Sequence, residues 1–288
     1  MNESSSAREL QFDYYGRNLA AQEWGQLGST PVIALHGWLD NSASFAELSP
    51  LLTNCQVVAL DLAGHGRSDY REAGSPYNIW QDVAEVFAVA DQLGWPEFSL
   101  LGHSRGAMIA ILVAATFPER IKHVALIDGF RPGTVESAQA PQQLAKSIIE
   151  TFRINSRPSP IYPDRESAIQ MRRKAEIPIS EAMVELLASR GVREEGDGYV
   201  WSSDQQLKIA SALKLSNEQA DAFIDRIMAP ITLIIAADGM PRIREYNERS
   251  VARYPHIKTH HLPGSHHLHM EVDKVGAVAE VLNSFFAT

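Results

Sequence analysis

The residues best placed for chemistry are in the segment Gly102-His103-Ser104-Arg105-Gly106. The apolar run Phe98-Ser99-Leu100-Leu101 leads into it, and Ala107-Met108-Ile109-Ala110 leads out with helical character. A Gly-x-Ser-x-Gly between a strand and a helix is a nucleophile-elbow pattern, in which a strained turn holds the serine hydroxyl exposed. The flanking glycines make room where the two backbones approach closely. The Ser104 hydroxyl then stands at a helix N-terminus, whose positive dipole end favours developing negative charge. Such a serine can attack a carbonyl carbon if a base accepts its proton.

Ten histidines could supply that base, and five of them lie between His260 and His269. His266 falls between the apolar run Ile257–Leu262 and a helix expected from about Glu271, which makes it the expected base. His267 and His269 are expected to be loop or pocket-lining residues. A metal cluster is disfavoured, because the stretch lacks a helical His-x-x-x-His pair and a nearby cysteine. No metal or organic cofactor is therefore expected. A carboxylate that orients the imidazole could be Asp128, at the end of Val124–Ile127, or Asp238, after Ile231–Ala236. Asp69 is too tied to its own loop. His36, in His36-Gly37-Trp38, reads as a structural histidine bracing a loop. The glycine-rich stretch Asp61–Asp69 lacks the spacing of a phosphate cradle and reads as a shaped loop.

These loops need a scaffold. Short apolar runs recur at Val32–Leu35, Val57–Leu60, Phe98–Leu101, Val124–Ile127, Ile231–Ala236 and, more weakly, Ile257–Leu262. Helical spacing appears between them at Ser42–Leu52, Trp80–Leu93, Arg105–Phe117, Ile243–Tyr254 and Val272–Phe286. That alternation predicts a mostly parallel sheet covered on both faces, with ligands bound at the carboxyl ends of its strands. Leu10–Trp24 reads as a hairpin turning at Gly16-Arg17-Asn18. The alternation breaks between 131 and 229, where helices are expected near Pro141–Phe152, Asp164–Ala175, Ser180–Ser189 and Ser216–Ile227, with a turn or hairpin at Gly196–Trp201. The expected organisation is a core of residues 1–130 and 230–288 with a helical lid of residues 131–229 inserted.

The chain has 288 residues, 45% of them hydrophobic, and a formal net charge of −9. That balance argues against nucleic acid as a partner. The single cysteine, Cys55, cannot form an internal disulfide and sits in an apolar run, so a small buried hydrophobe is expected. Residues Met1–Leu10 carry no apolar targeting segment, and the longest apolar stretch, Ala107–Phe117, is too short to cross a membrane. A cytoplasmic protein, monomer or homodimer, acting on a small molecule is the expectation.

Taken together, the motifs resemble the α/β-hydrolase superfamily over essentially the whole chain, most closely the serine hydrolase-like protein group. The resemblance is carried by His36-Gly37-Trp38-Leu39-Asp40-Asn41 with Phe45, by Gly64-His65-Gly66 with Ser68, by Gly102-His103-Ser104, and by Pro263-Gly264-x-His266-x-x-His269-Met270. Leu186–Gly191 and Asp204-Gln205 in the lid are similar to that group too. The resemblance implies a Ser104–His266–acid triad and an oxyanion hole from the backbone N–H groups of Trp38 and Arg105. Trp38, His103 and His267 are expected to contact substrate. The resemblance also bears on the acid. Many relatives carry it nine residues beyond a proline that opens the strand preceding the last, and that count from Pro230 lands on Gly239. Relatives with glycine there carry the acid at the end of the strand before the lid, which is the position of Asp128. Serine rather than aspartate at 104 disfavours dehalogenase and epoxide hydrolase chemistry. Arg105 could bias the pocket toward an anion, or simply turn away into a salt bridge, and the second is expected.

Hydrolysis of a carboxylic ester or related acyl bond is the leading expectation. Two alternatives keep the fold: a cofactor-free dioxygenase or lyase using the histidine as base, and a binding protein without catalysis.

Overall fold

The computed structural model describes residues 6–72, 74–174 and 179–288. A hairpin opens the chain, β1 (Arg8–Tyr14) and β2 (Arg17–Gly25). Parallel strands follow: β3 (Thr30–Leu35), β4 (Cys55–Leu60), β5 (Phe98–His103), β6 (Ile121–Ile127), β9 (Ile231–Ala236) and β10 (Lys258–Leu262). All eight form one sheet in the order β1-β2-β4-β3-β5-β6-β9-β10, with only β1 and β2 antiparallel to their neighbours. The hairpin turns at Tyr15-Gly16, both at positive φ, one residue earlier than the sequence suggested.

The apolar runs are continuous because both sheet faces are covered. Ile33 and Leu35 of β3, Leu100 of β5 and Leu233 and Ile235 of β9 pack against α1 (Ile79–Gln92) and α2 (Arg105–Thr116). Val32 and Ala34, Leu101, and Ile234 and Ala236 pack on the other side against α8 (Val275–Phe286). One strand residue in two therefore serves each layer, as the pleat dictates.

The helix expected over Ser42–Leu52 is absent. The segment forms two short 3-10 turns, Ser42–Phe45 and Ser49–Leu51. Asn41 caps the first through its side chain, Asp61 Oδ1 accepts the Ser42 N–H at 2.7 Å, and Pro50 removes a donor that a longer helix would need.

Between β6 and β9 the chain leaves the sheet and builds α3 (Ala140–Asn155), α4 (Arg165–Arg173), α5 (Glu181–Gly191), the hairpin β7 (Val192–Glu195) with β8 (Gly198–Trp201), and α6 (Asn217–Asp225). The four expected helices all form, although Ala175, the expected end of the second, lies outside the described residues. This insertion is tied to the loops after β3 and β4. Arg190 Nε donates to Asp61 Oδ2 at 2.7 Å, Arg172 to Asp40 Oδ1 at 3.1 Å, and Trp38 Nε1 to the Leu207 carbonyl at 3.0 Å. Helix α7 (Pro241–Val251) then follows β9. No helix among the described residues is long and apolar enough to cross a membrane. Cys55 is buried and free, as expected.

Candidate active site

Ser104 sits between β5 and α2 with φ 51 and ψ −112, a conformation that L residues adopt only under constraint. Close packing enforces it. A Cβ at Gly106 would lie 1.9 Å from the Leu35 carbonyl oxygen, and one at Gly102 would lie 2.5 Å from Ala107 Cα. The Ser104 N–H donates to the Ile127 carbonyl at 2.9 Å, so the neighbouring strand β6 also fixes the turn. No described group accepts a hydrogen bond from the Arg105 backbone N–H at this helix start.

Asp128 ends β6, also at positive φ (43°), and its N–H donates to the Ile234 carbonyl of β9 at 2.7 Å. The carboxylate is buried, 1% exposed. Its Oδ1 accepts the Ala236 N–H at 3.2 Å, and its Oδ2 lies 2.6 Å from Nδ1 of His266. An ionised carboxylate only accepts, so Nδ1 carries the proton and Nε2 is the free lone pair. Asp238 has a different partner: its Oδ2 accepts the Gly264 N–H at 2.9 Å and braces the loop that carries His266. Gly239 lies beside Asp128: a Cβ there would stand 3.4 Å from Asp128 Oδ2, an ordinary van der Waals distance. Of the two aspartates open in the sequence, the structure brings Asp128 to His266. Ser104 Oγ makes no hydrogen bond to the His266 ring; such contacts are often long before substrate is bound.

Two histidines hold the loop around Trp38. His36 Nε2 accepts the Leu62 N–H at 3.1 Å, and His65 Nε2 accepts the Leu39 N–H at 3.3 Å. Each ring thus grips the loop that the other belongs to, and the rings meet edge to face at 4.8 Å. Burial pushes both imidazoles down, His65 well below the usual histidine range, which keeps the Nε2 lone pairs available. The Trp38 backbone N–H is left without an acceptor among the described residues, as is that of Arg105. His36 is therefore the brace that the sequence suggested. Arg105 likewise takes the salt-bridge alternative, its guanidinium 2.7 Å from Asp82 Oδ2.

His103 and His267 are held inside the protein. Both are buried, 0% and 2% exposed, and neither lines the pocket at Ser104. His103 Nε2 donates to the His266 carbonyl at 2.9 Å, a direct strap between the nucleophile turn and the loop of the base. His267 Nε2 lies 3.3 Å from Asp40 Oδ2. Both rings thus brace the protein internally. Burial, then the neighbouring rings of His269, His266 and His267, hold His103 well below its ordinary range, and burial pushes His269 down to about 3. Burial alone would raise the Asp40 carboxyl, but His267, Arg172 and His103 reverse this and hold it well below the usual carboxylate range. Asp40, which sequence reasoning quoted only within a motif, is the hub of this cluster. Asp40, His103 and His267 each offer a ligand atom within 4.8 Å of the others, the one metal-like grouping among the described residues. The Arg172 guanidinium already sits on the second Asp40 oxygen, where its charge opposes a divalent cation.

A cavity of about 300 Å³ opens beside Ser104, lined also by Asp128 and by residues of α7. Sequence reading had given α7 no part in the site.

A parallel sheet with an antiparallel leading hairpin, a serine at a strained β5–α2 turn and a histidine loop after the last strand define an α/β hydrolase. The chain belongs to that family: residues 30–273 match the model of the alpha/beta hydrolase fold. It is 30% identical to the serine hydrolase-like protein of Danio rerio, over 97% of this chain and 88% of that one. It is 31% identical to serine hydrolase-like protein 2 of Homo sapiens, over 93% and 90% respectively. Among solved structures it is similar to a hypothetical protein of Pseudomonas aeruginosa PAO1, at 40% identity and a TM-score of 0.93, covering 97% of this chain and 99% of that one. The thioesterase domain from the curacin biosynthetic pathway is similar at 27% identity and a TM-score of 0.79, with 98% and 100% covered.

Proposed function

We propose that this hydrolase cleaves a carboxylic ester or related acyl bond of a small to medium substrate through a covalent acyl-enzyme. The observation that carries the reading is the buried 2.6 Å pair of Asp128 and His266, with Asp128 lining the same cavity as a serine held at a strained helix start. Ser104 Oγ attacks the acyl carbon while His266 Nε2 accepts its proton. Asp128 keeps the proton on Nδ1 and stabilises the imidazolium as it forms. The tetrahedral oxyanion is met by the backbone N–H groups of Trp38 and Arg105, both free of internal acceptors. His266 then returns its proton to the departing alcohol or thiol, and water repeats the sequence on the acyl-enzyme. Neither step draws on a metal or organic cofactor. The insertion of residues 131–229 acts as a lid, which favours an enclosed small molecule over a polymer. A lone buried cysteine suits a reducing cytoplasm.

A fluorophosphonate probe tests the reading. It should label the protein once, at Ser104, and label neither Ser104→Ala nor His266→Ala. p-Nitrophenyl esters of graded chain length should be turned over by the wild type alone. A folded protein that is neither labelled nor active on any ester would point to a non-hydrolytic reaction of the same fold.

A further inference from the structure

The cavity beside Ser104 is mostly apolar, but its rim carries cationic side chains that acyl-bond hydrolysis does not call for. Its outer wall is α7, which contributes Arg242, Ile243, Tyr246, Asn247 and Arg249. Arg242 and Arg249 have no carboxylate partner among the described residues. Both are exposed, whereas the fully buried arginines elsewhere are paired: Arg71 with Asp82, Arg131 with Asp221 and Arg190 with Asp61. Glu245 stands one turn before Arg249 on the same helix, yet no ion pair forms between them.

Two features make this more than a pair of surface cations. The first is Asn247, only 1% exposed and lining the same cavity, whose Nδ2 is buried without a hydrogen-bond partner. A buried amide donor without an acceptor is costly, and an acceptor entering the cavity, from a ligand or a water, would complete it. The second is the helix itself. Its N-cap, Met240, makes no side-chain cap bond, and its first turn holds no acidic residue but does hold Arg242. A cation there opposes the helix dipole, the reverse of ordinary helix design. The one carboxylate in the cavity, Asp128, is committed to His266 and the Ala236 N–H and does not neutralise the arginines.

We propose that Arg242, Arg249 and Asn247 form an anion subsite, so that the favoured substrate is an acyl compound whose chain carries a carboxylate. This deepens the hydrolase reading and rests on it. The guanidinium groups supply attraction and paired donors for a carboxylate, Asn247 supplies a fixed neutral donor, and Ile243 and Met108 line the path for the intervening methylenes. A cavity near 300 Å³ suits a short chain rather than a bulky carrier.

The test compares the p-nitrophenyl monoester of glutaric acid with p-nitrophenyl pentanoate, which has the same number of acyl carbons but no charge. Wild-type kcat/KM should favour the charged ester by about tenfold or more at low salt, and the preference should shrink as salt rises. The ratio should fall toward unity in Arg242→Gln/Arg249→Gln and in Asn247→Leu, and should recover substantially in Arg242→Lys/Arg249→Lys. Arg157→Gln, which removes an exposed cation from the end of α3, should leave the ratio as in the wild type, and thermal melts check that every variant is folded. Equal rates on the two esters, or a preference that survives in the double glutamine variant, would overturn the subsite while leaving the hydrolase intact. Should the protein prove inactive on all esters, calorimetric binding of glutarate to Ser104→Ala still decides. Binding that is lost in the glutamine variants supports the subsite, and its absence overturns it.

Discussion

Replacing Asp128 by asparagine separates the two aspartates near the base by function. Asparagine keeps the volume and one oxygen, so the Ala236 N–H can retain its acceptor. What is lost is a full negative charge 2.6 Å from Nδ1 of a ring that becomes cationic in the reaction. For two unit charges about 4 Å apart at an effective dielectric of about 20, that attraction is about 4 kcal/mol. Asp128 is 1% exposed, so bulk water cannot replace it. The expected fall in kcat/KM is therefore on the order of a thousandfold, with KM changed much less than kcat. Asp238→Asn keeps an oxygen for the Gly264 N–H and removes no partner of His266, so its cost should stay within about tenfold. Fluorophosphonate labelling rates give a second readout that does not depend on substrate choice. Parallel melting curves separate lost chemistry from lost folding. If Asp238→Asn proved the more damaging change, or Asp128→Asn lost less than tenfold, the assignment drawn from this geometry would be wrong.

Acid should destabilise the fold before carboxylates are protonated. Burial keeps His269 at about 3 against an ordinary 6.5, and holds His65 and His103 well below their ordinary values. The unfolded chain takes up protons that the native state refuses, so stability is complete above about pH 6.5 and falls below it by roughly 1.4 kcal/mol per pH unit from His269 alone. Urea unfolding at stepped pH measures this, and a stability unchanged between pH 7 and pH 5 would count against it. Arg190→Met should cost about 3–5 kcal/mol, because it strands Asp61, whose side chain is fully buried, without its cation. Chemical denaturation reads that loss, and a change below about 1 kcal/mol would show that the bridge matters little. Burial pushes the Cys55 thiol up to about 11, so iodoacetamide at pH 8 should modify it only after unfolding. Labelling of the native protein at the rate of a free thiol would contradict that burial.

The parts of the molecule legible in the sequence are those governed by local rules. Apolar runs marked the parallel strands, and the Gly102–Gly106 turn marked Ser104, because close backbone packing leaves few residue choices. The hidden parts depend on partners far away in the chain. Nothing local to Ser42–Leu52 announces that Asp61 will hold the Ser42 N–H and favour short turns over a helix. His103 and His267 sit beside residues expected to be catalytic, yet Asp40 and the His266 carbonyl claim their nitrogens. Helix α7 reads as an ordinary polar surface helix. Only the fold shows that Arg242, Asn247 and Arg249 share a wall with Ser104.

The insertion also sets an order of events during synthesis. Strand β6 pairs with β5 on one side and β9 on the other, but about a hundred residues separate Ile127 from Ile231. At roughly 5–20 residues per second, a nascent chain exposes the free edge of β6, Val124-Ala125-Leu126-Ile127, for about 5–20 seconds before its partner emerges. An unpaired apolar edge is a template for association with other chains. Aggregation during expression should therefore respond to translation rate and to chaperones that cover this edge, more than to the stability of the finished enzyme.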